Sequence, residues 1–121
     1  MSKGRIIIAE DDAIIALDTE IKLNERGYNV VSVVNNGDEC IRSANEYKPD
    51  VIIMDIGLKG AMDGIEAAKH IHESLSIPII YLTGNSDKKT LDRLNSAPKS
   101  LFLVKPLLDD KLFNALDQVL Q

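Results

Sequence analysis

Five short apolar runs, at 5–9, 30–34, 51–54, 77–82 and 101–104, alternate with amphipathic stretches along the chain. The runs are continuously apolar and mostly rich in Ile and Val, which predicts strands covered on both faces in a parallel sheet; a strand with one solvated face would alternate with polar residues. Between them, apolar residues recur at helical spacing. Ile14, Leu17 and Ile21 predict the inner stripe of a first helix, closed by a left-handed cap at Gly27. Cys40, Ala44 and Tyr47 predict a second, beginning at Asn36 or Gly37 and stopping before Pro49. Ile65, Ala68, Ile71 and Leu75 predict a third, ended before Pro78. Leu91 and Leu94 mark a fourth, capped by Ser86 or Asp87 and closed by Pro98, and Leu112, Leu116 and Val119 mark a fifth.

Five βα units joined by right-handed crossovers cannot place every helix on one face of a sheet, so an α/β doubly wound open sheet follows. The flavodoxin-like strand order 2-1-3-4-5 is the expected five-stranded solution. With 121 residues, 45% hydrophobic and 27% charged, the chain has enough apolar surface for one core, and a single domain spanning 1–121 is expected. The formal charge of -5 disfavours direct binding to nucleic acid or to an anionic membrane. No apolar run approaches the length of a membrane span and no signal-peptide pattern is present, so a cytoplasmic location is expected. Cys40, the one cysteine, reads as a small core residue. His70 and His72 point to different helix faces and read as solvated, and Lys88, Lys89 and Arg93 read as an exposed helix face.

In such a sheet the ligand crevice lies beyond the carboxyl ends of the strands. Those ends carry Glu10, Asp11 and Asp12 after the first strand, Asp55 after the third, Thr83 after the fourth and Lys105 after the fifth. Each alone has an ordinary structural explanation, such as an acid at a helix start or a threonine at a strand end. Together they are complementary. Carboxylates from Glu10, Asp11 and Asp55 in one crevice repel one another, and a hard divalent cation such as Mg²⁺ resolves the conflict. Lys105 then offers a positive charge, and Thr83 a hydroxyl, to a further anion. An aspartate beside a metal, a lysine and a hydroxyl donor is arranged to be a nucleophile in phosphoryl transfer.

The strings RIIIAEDD, PDVIIMDIGLKGAMDGIEAAKHI, IPIIYLTG and LFLVKPL resemble, in order, the four signature segments of the response-regulator receiver family. The resemblance implies that Glu10 and Asp11 hold Mg²⁺, that Asp55 is the phosphoacceptor and that Gly57 lends a backbone carbonyl to the metal. It further implies that Thr83 is the switch hydroxyl, that Lys105 contacts the phosphoryl group through a segment with a cis Lys105–Pro106 bond, and that Phe102 is the aromatic switch position. Asp12, just after the acidic pair, is left a helix-start role. The phosphoryl donor would be a sensor histidine kinase or a phosphotransfer protein. The output would be a downstream effector or self-association through the face formed by helix 4, strand 5 and helix 5. Such a domain is a switch that catalyses its own phosphorylation and slow dephosphorylation, not an enzyme in its own right.

Two segments depart from the family pattern. The stretch IGLKGAMD between Asp55 and Gly64 is one residue longer than usual, with Lys59 or Gly60 where proline is common. Gly84 stands where alanine is common, and NSAPKS lacks the usual Gly-Ala. Gly57 and Gly84 lack side chains, so the approach to Asp55 should be open, with Asn85 orienting or obstructing an attacking water. The competing enzyme class is a Mg²⁺-dependent aspartyl-phosphate phosphatase or phosphotransferase of the haloacid-dehalogenase kind, which needs a second aspartate where Gly57 stands. A nucleotide or flavin binder would need a glycine-rich loop where the chain has Glu10, Asp11 and Asp12.

Overall fold

The computed structural model describes residues 2–84, 87–97 and 100–120; the expectations for Asn85, Ser86 and Pro98 lie outside them. Strands β1 (Arg5–Ala9), β2 (Asn29–Val34), β3 (Val51–Asp55), β4 (Ile79–Thr83) and β5 (Ser100–Val104) alternate with helices α1 (Ala13–Glu25), α2 (Gly37–Tyr47), α3 (Gly64–His72), α4 (Lys88–Asn95) and α5 (Asp109–Val119). All four strand pairs are parallel, as the apolar runs predict, and the sheet order is β2-β1-β3-β4-β5, the expected flavodoxin-like solution.

Alternate residues of each central strand enter opposite cores, which is why those runs are almost wholly apolar. Ile7, Ile52, Met54, Ile79 and Tyr81 pack with Cys40 and Ala44 of α2, Ile65, Ala68 and Ile71 of α3, and Leu94 of α4. Ile6, Ile8, Val51, Ile53, Ile80 and Leu82 pack with Leu23 of α1 and Leu112 and Leu116 of α5. Thus α1 and α5 cover one face, and α2, α3 and α4 the other. Burial pushes the Cys40 thiol up to about 12, so it is an inert core group.

The local signals act as expected at several helix ends. The side chains of Asp12, Asn36, Asp63 and Asp87 accept from first-turn amides of α1, α2, α3 and α4. Gly27, just beyond α1, has φ +92, where a Cβ would be strained. Helix α3 stops at His72, so Leu75 packs from the following turn instead of extending the helix. His72 is not simply solvated, because its Nε2 hydrogen-bonds the Ile77 carbonyl at 2.7 Å.

The largest departure concerns α1. Ile14, Leu17 and Ile21 do not face the core; they are 82%, 56% and 47% exposed. The buried face is Ala16, Thr19 and Leu23. Its one polar group is satisfied within the helix, since the Thr19 hydroxyl donates to the Ile15 carbonyl at 2.9 Å. Small residues at 16 and 19 let the helix backbone approach the sheet, and the bulkier apolar residues are left outside. Lys22 ties this helix to α5 by bridging Asp18 at 2.9 Å and Asp109 at 2.8 Å.

Candidate functional site

Parallel strands all present their carboxyl ends on one side, and that edge gathers the predicted polar residues. Asp55 closes β3, Thr83 closes β4, Glu10 and Asp11 follow β1 directly, and Lys105 follows β5 directly. Backbone bonds from Glu10 N to Val34 O (3.0 Å) and from Lys105 N to Thr83 O (2.8 Å) hold two of these residues to neighbouring strand ends.

One carboxylate oxygen from each of Glu10, Asp11 and Asp55 lies within 4.8 Å of the others. Glu10 and Asp55 are 4% and 5% exposed, whereas Asp11 is half-buried. Lys105 Nζ bridges two of them, 3.2 Å from Glu10 Oε1 and 3.2 Å from Asp55 Oδ2. The Lys105–Pro106 bond is cis. Gly57 N donates to Asp55 Oδ1 at 3.0 Å, orienting the carboxylate from the loop that follows it. Asp12 turns away to cap α1, accepting from Ile14 N and Ile15 N.

Three carboxylates face one ammonium, and the imbalance is visible in Glu10. Burial and then its hydrogen bond with Asp55 push the Glu10 carboxyl up to about 7, against the opposing pull of the Asp12 amide and Lys105. Burial opposes charge on Lys105, but Asp55 and Glu10 outweigh it and raise the ammonium above its ordinary range.

The Glu10 shift has a measurable consequence. The native state holds the Glu10 proton more tightly than the unfolded chain does, so its contribution to stability is complete below about 4.5 and lost as pH rises through about 7. Melting in a chelator should therefore show a Tm that falls across that window, by an amount corresponding to about 3 kcal/mol at most. A Tm that rises or stays flat across the window, or falls as steeply in Glu10→Gln, would remove Glu10 as the cause.

A cleft of about 350 Å³ opens over Asp55, lined by Asp55, Ile56, Gly57, Thr83, Gly84, Thr90 and Lys105. Thr83 is buried. Phe102 is 39% exposed on β5 and is not part of this lining. Two features were absent from the strand-end pattern. Thr90 reaches the cleft from α4, and Arg93 is not simply part of an exposed basic face, because its Nη1 pairs with Asp63 Oδ2 at 2.8 Å. Burial alone would raise the Asp63 carboxyl, but the hydrogen bond from Arg93 leads the effects that lower it below its ordinary value. The only advance signal was spacing: Thr90 and Arg93 lie four and one residues before buried Leu94, so Thr90 shares its helix face.

A five-stranded parallel sheet with this acidic strand-end site defines a signalling class, and the chain belongs to the response regulator receiver domain family, whose profile matches residues 6–117. It is a receiver domain of two-component systems. It is similar to the transcriptional regulatory protein PdtaR of Mycobacterium tuberculosis, 36% identical over 113 residues, covering 93% of this chain and 55% of PdtaR. It is also similar to the CAI-1 autoinducer sensor kinase/phosphatase CqsS of Vibrio cholerae, 35% identical over 114 residues, covering 91% of this chain and 16% of CqsS. Among solved structures, the signal receiver domain of a modulated diguanylate cyclase from Desulfovibrio desulfuricans superposes with a TM-score of 0.88 at 33% identity, covering 97% of this chain and 93% of that one. The chain spans about half the length of PdtaR. Among the described residues no helix is long and apolar enough to cross a membrane.

Proposed function

We propose that this domain accepts a phosphoryl group on Asp55 from a phosphohistidine donor, with Mg²⁺ bound beside it, and changes its surface in response. The observation that carries the reading is the convergence of three carboxylates within 4.8 Å with one ammonium shared between Glu10 and Asp55. The donor set fits Mg²⁺: its atoms are hard oxygens, and burial together with the hydrogen bond to Asp55 already raises the Glu10 carboxyl to about 7. Glu10, Asp11, Asp55 and the Gly57 carbonyl would hold the ion, which supplies charge neutralisation for the entering phosphoryl group.

The protein's own groups do the rest. An Asp55 carboxylate oxygen attacks phosphorus and the donor's imidazole nitrogen leaves. Lys105, already poised at 3.2 Å from Asp55, moves its charge to a phosphoryl oxygen. Thr83 offers its hydroxyl to another. Phe102, Val104 and Leu108, exposed by 39%, 48% and 54%, give the α4-β5-α5 side an apolar surface through which an effector or a second copy reads the state. The phosphatase alternative lacks its general acid, since Gly57 occupies that position.

The exposed apolar face of α1 fits a protein donor. Ile14 and Ile15 border a groove of about 670 Å³ against Pro106, Leu107 and Leu112, which reaches Gly84 and Lys105 at the edge of the site. A sensor histidine kinase or phosphotransfer protein seated there would bring its phosphohistidine to Asp55.

Incubation with acetyl phosphate and Mg²⁺ should add one phosphoryl group, seen by intact-mass spectrometry, and a chelator should prevent it. Mg²⁺ should also raise Tm at neutral pH, with a smaller rise in Asp11→Ala. Labelling that proceeds equally well in chelator would remove the metal from the reading.

A further inference from the structure

We propose that Thr90 is a positioning residue for dephosphorylation, its hydroxyl orienting the water that attacks the Asp55 phosphoryl group. This rests on the reading of Asp55 as phosphoacceptor and concerns how that state is ended.

Consider which lining groups remain available once the phosphoryl group is in place. Lys105 and Thr83 are engaged with phosphoryl oxygens, and Asp55 is the leaving group. Ile56 is apolar, and Gly57 and Gly84 have no side chains. Among the described residues nothing lies within 4 Å of where a Cβ on Gly84 would be, and Gly84 itself is exposed. Among the described lining residues, Thr90 alone retains an uncommitted polar side chain. It is half-buried, and among the described residues its hydroxyl makes no hydrogen bond; only its backbone amide is used, donating to Asp87 Oδ1 at 2.8 Å.

The same face of α4 is anchored at two further points. Leu94 is buried against the sheet, and Arg93 pairs at 2.8 Å with Asp63, the cap residue that ends the loop leading from Asp55. Thr90 and Arg93 are three residues apart, so the ion pair fixes the turn that carries Thr90 over the cleft. In the reaction, water oxygen bonds to phosphorus while the phosphorus bond to the Asp55 oxygen breaks. The Asp55 carboxylate is regenerated, inorganic phosphate leaves, and the water proton ends on phosphate. Thr90 accepts a hydrogen bond from the water and undergoes no net change.

The test loads wild type, Thr90→Val, Thr90→Ser, Arg93→Gln and the Thr90→Val/Arg93→Gln double variant with acetyl phosphate and Mg²⁺. The donor is then removed, and loss of label is followed by intact mass. Thr90→Val, which keeps shape but not the hydroxyl, should slow hydrolysis about fivefold, the factor carried by one ordinary hydrogen bond. Thr90→Ser should restore hydrolysis. Hydrolysis in Thr90→Val that matches or exceeds the wild-type rate, or Thr90→Ser as slow as Thr90→Val, overturns the proposal. Arg93→Gln should also slow hydrolysis, with the double variant no slower than Thr90→Val; a full Thr90→Val effect persisting on top of Arg93→Gln overturns the role of the ion pair. Wild type that takes no label overturns the acceptor reading itself, which separates that failure from the others.

Discussion

Asparagine at position 55 should leave the protein folded and end phosphoryl transfer altogether. The amide has nearly the shape of the carboxylate, so the packing of a residue only 5% exposed is preserved, and an amide oxygen can still accept from Gly57 N. What it lacks is the anionic oxygen that attacks phosphorus in the proposed reaction. The substitution also removes one of the three crowded charges. Since Asp55 follows burial among the causes that raise Glu10, the Glu10 carboxyl should fall back toward its ordinary range and Lys105 should keep Glu10 as its partner. Two readouts therefore move together in Asp55→Asn: no mass increase with acetyl phosphate and Mg²⁺, and a shallower decline of Tm with rising pH in chelator. Labelling of the variant at the wild-type rate would move the acceptor to another residue.

Gly64→Ala should be the most damaging single-methyl change in the protein. Gly64 is buried at the first position of α3, its amide donating to the Ile56 carbonyl at 3.0 Å. A Cβ there would run into the backbone oxygen of Asp55, and would lie 2.9 Å from Met54 Cγ and 3.0 Å from Ile56 Cα. Two of these three neighbours are backbone atoms, which cannot rotate away, so β3 or α3 must shift. Overpacking of this kind costs about 3 kcal/mol, and for a domain of this size that lowers Tm by about 10 °C. Because the obstructed atom belongs to Asp55 itself, whatever folds should also take label more slowly. A variant melting within about 1 °C of wild type would show that the α3 start can move away freely.

The exposed face of α1 shows where sequence patterning stops being informative. The helix carries Ala13, Ile14, Ile15, Ala16, Leu17, Ile21 and Leu23, so more than one side is apolar and helical spacing alone cannot say which side meets the sheet. The largest residues gave the wrong face, and the smaller ones, Ala16 and Thr19, occupy the contact with the sheet. The misplaced stripe leaves Ile14 exposed beside the groove that leads to Lys105, the surface proposed above for a protein donor.

From its residues alone this chain specified a parallel, doubly wound sheet and the make-up of the site, while the strand order was expected only as the common five-stranded solution. Uninterrupted apolar runs require burial on both faces, parallel strands require crossover helices, and the carboxyl ends of parallel strands share one edge, so Glu10, Asp11, Asp55, Thr83 and Lys105 had to converge. Only the tertiary structure decided what depends on distance and burial. The Glu10 carboxyl is raised because water is excluded from it and Asp55 hydrogen-bonds to it. Arg93 finds Asp63 because α4 packs across the end of the Asp55 loop. Thr90 comes to overlook the cleft because Leu94, four residues on, is buried beneath the same helix face. Local spacing puts Thr90 on the Leu94 face of its helix, but which cleft or partner each of these residues meets depends on segments that are separate in the chain and come together only when the helices settle on the sheet.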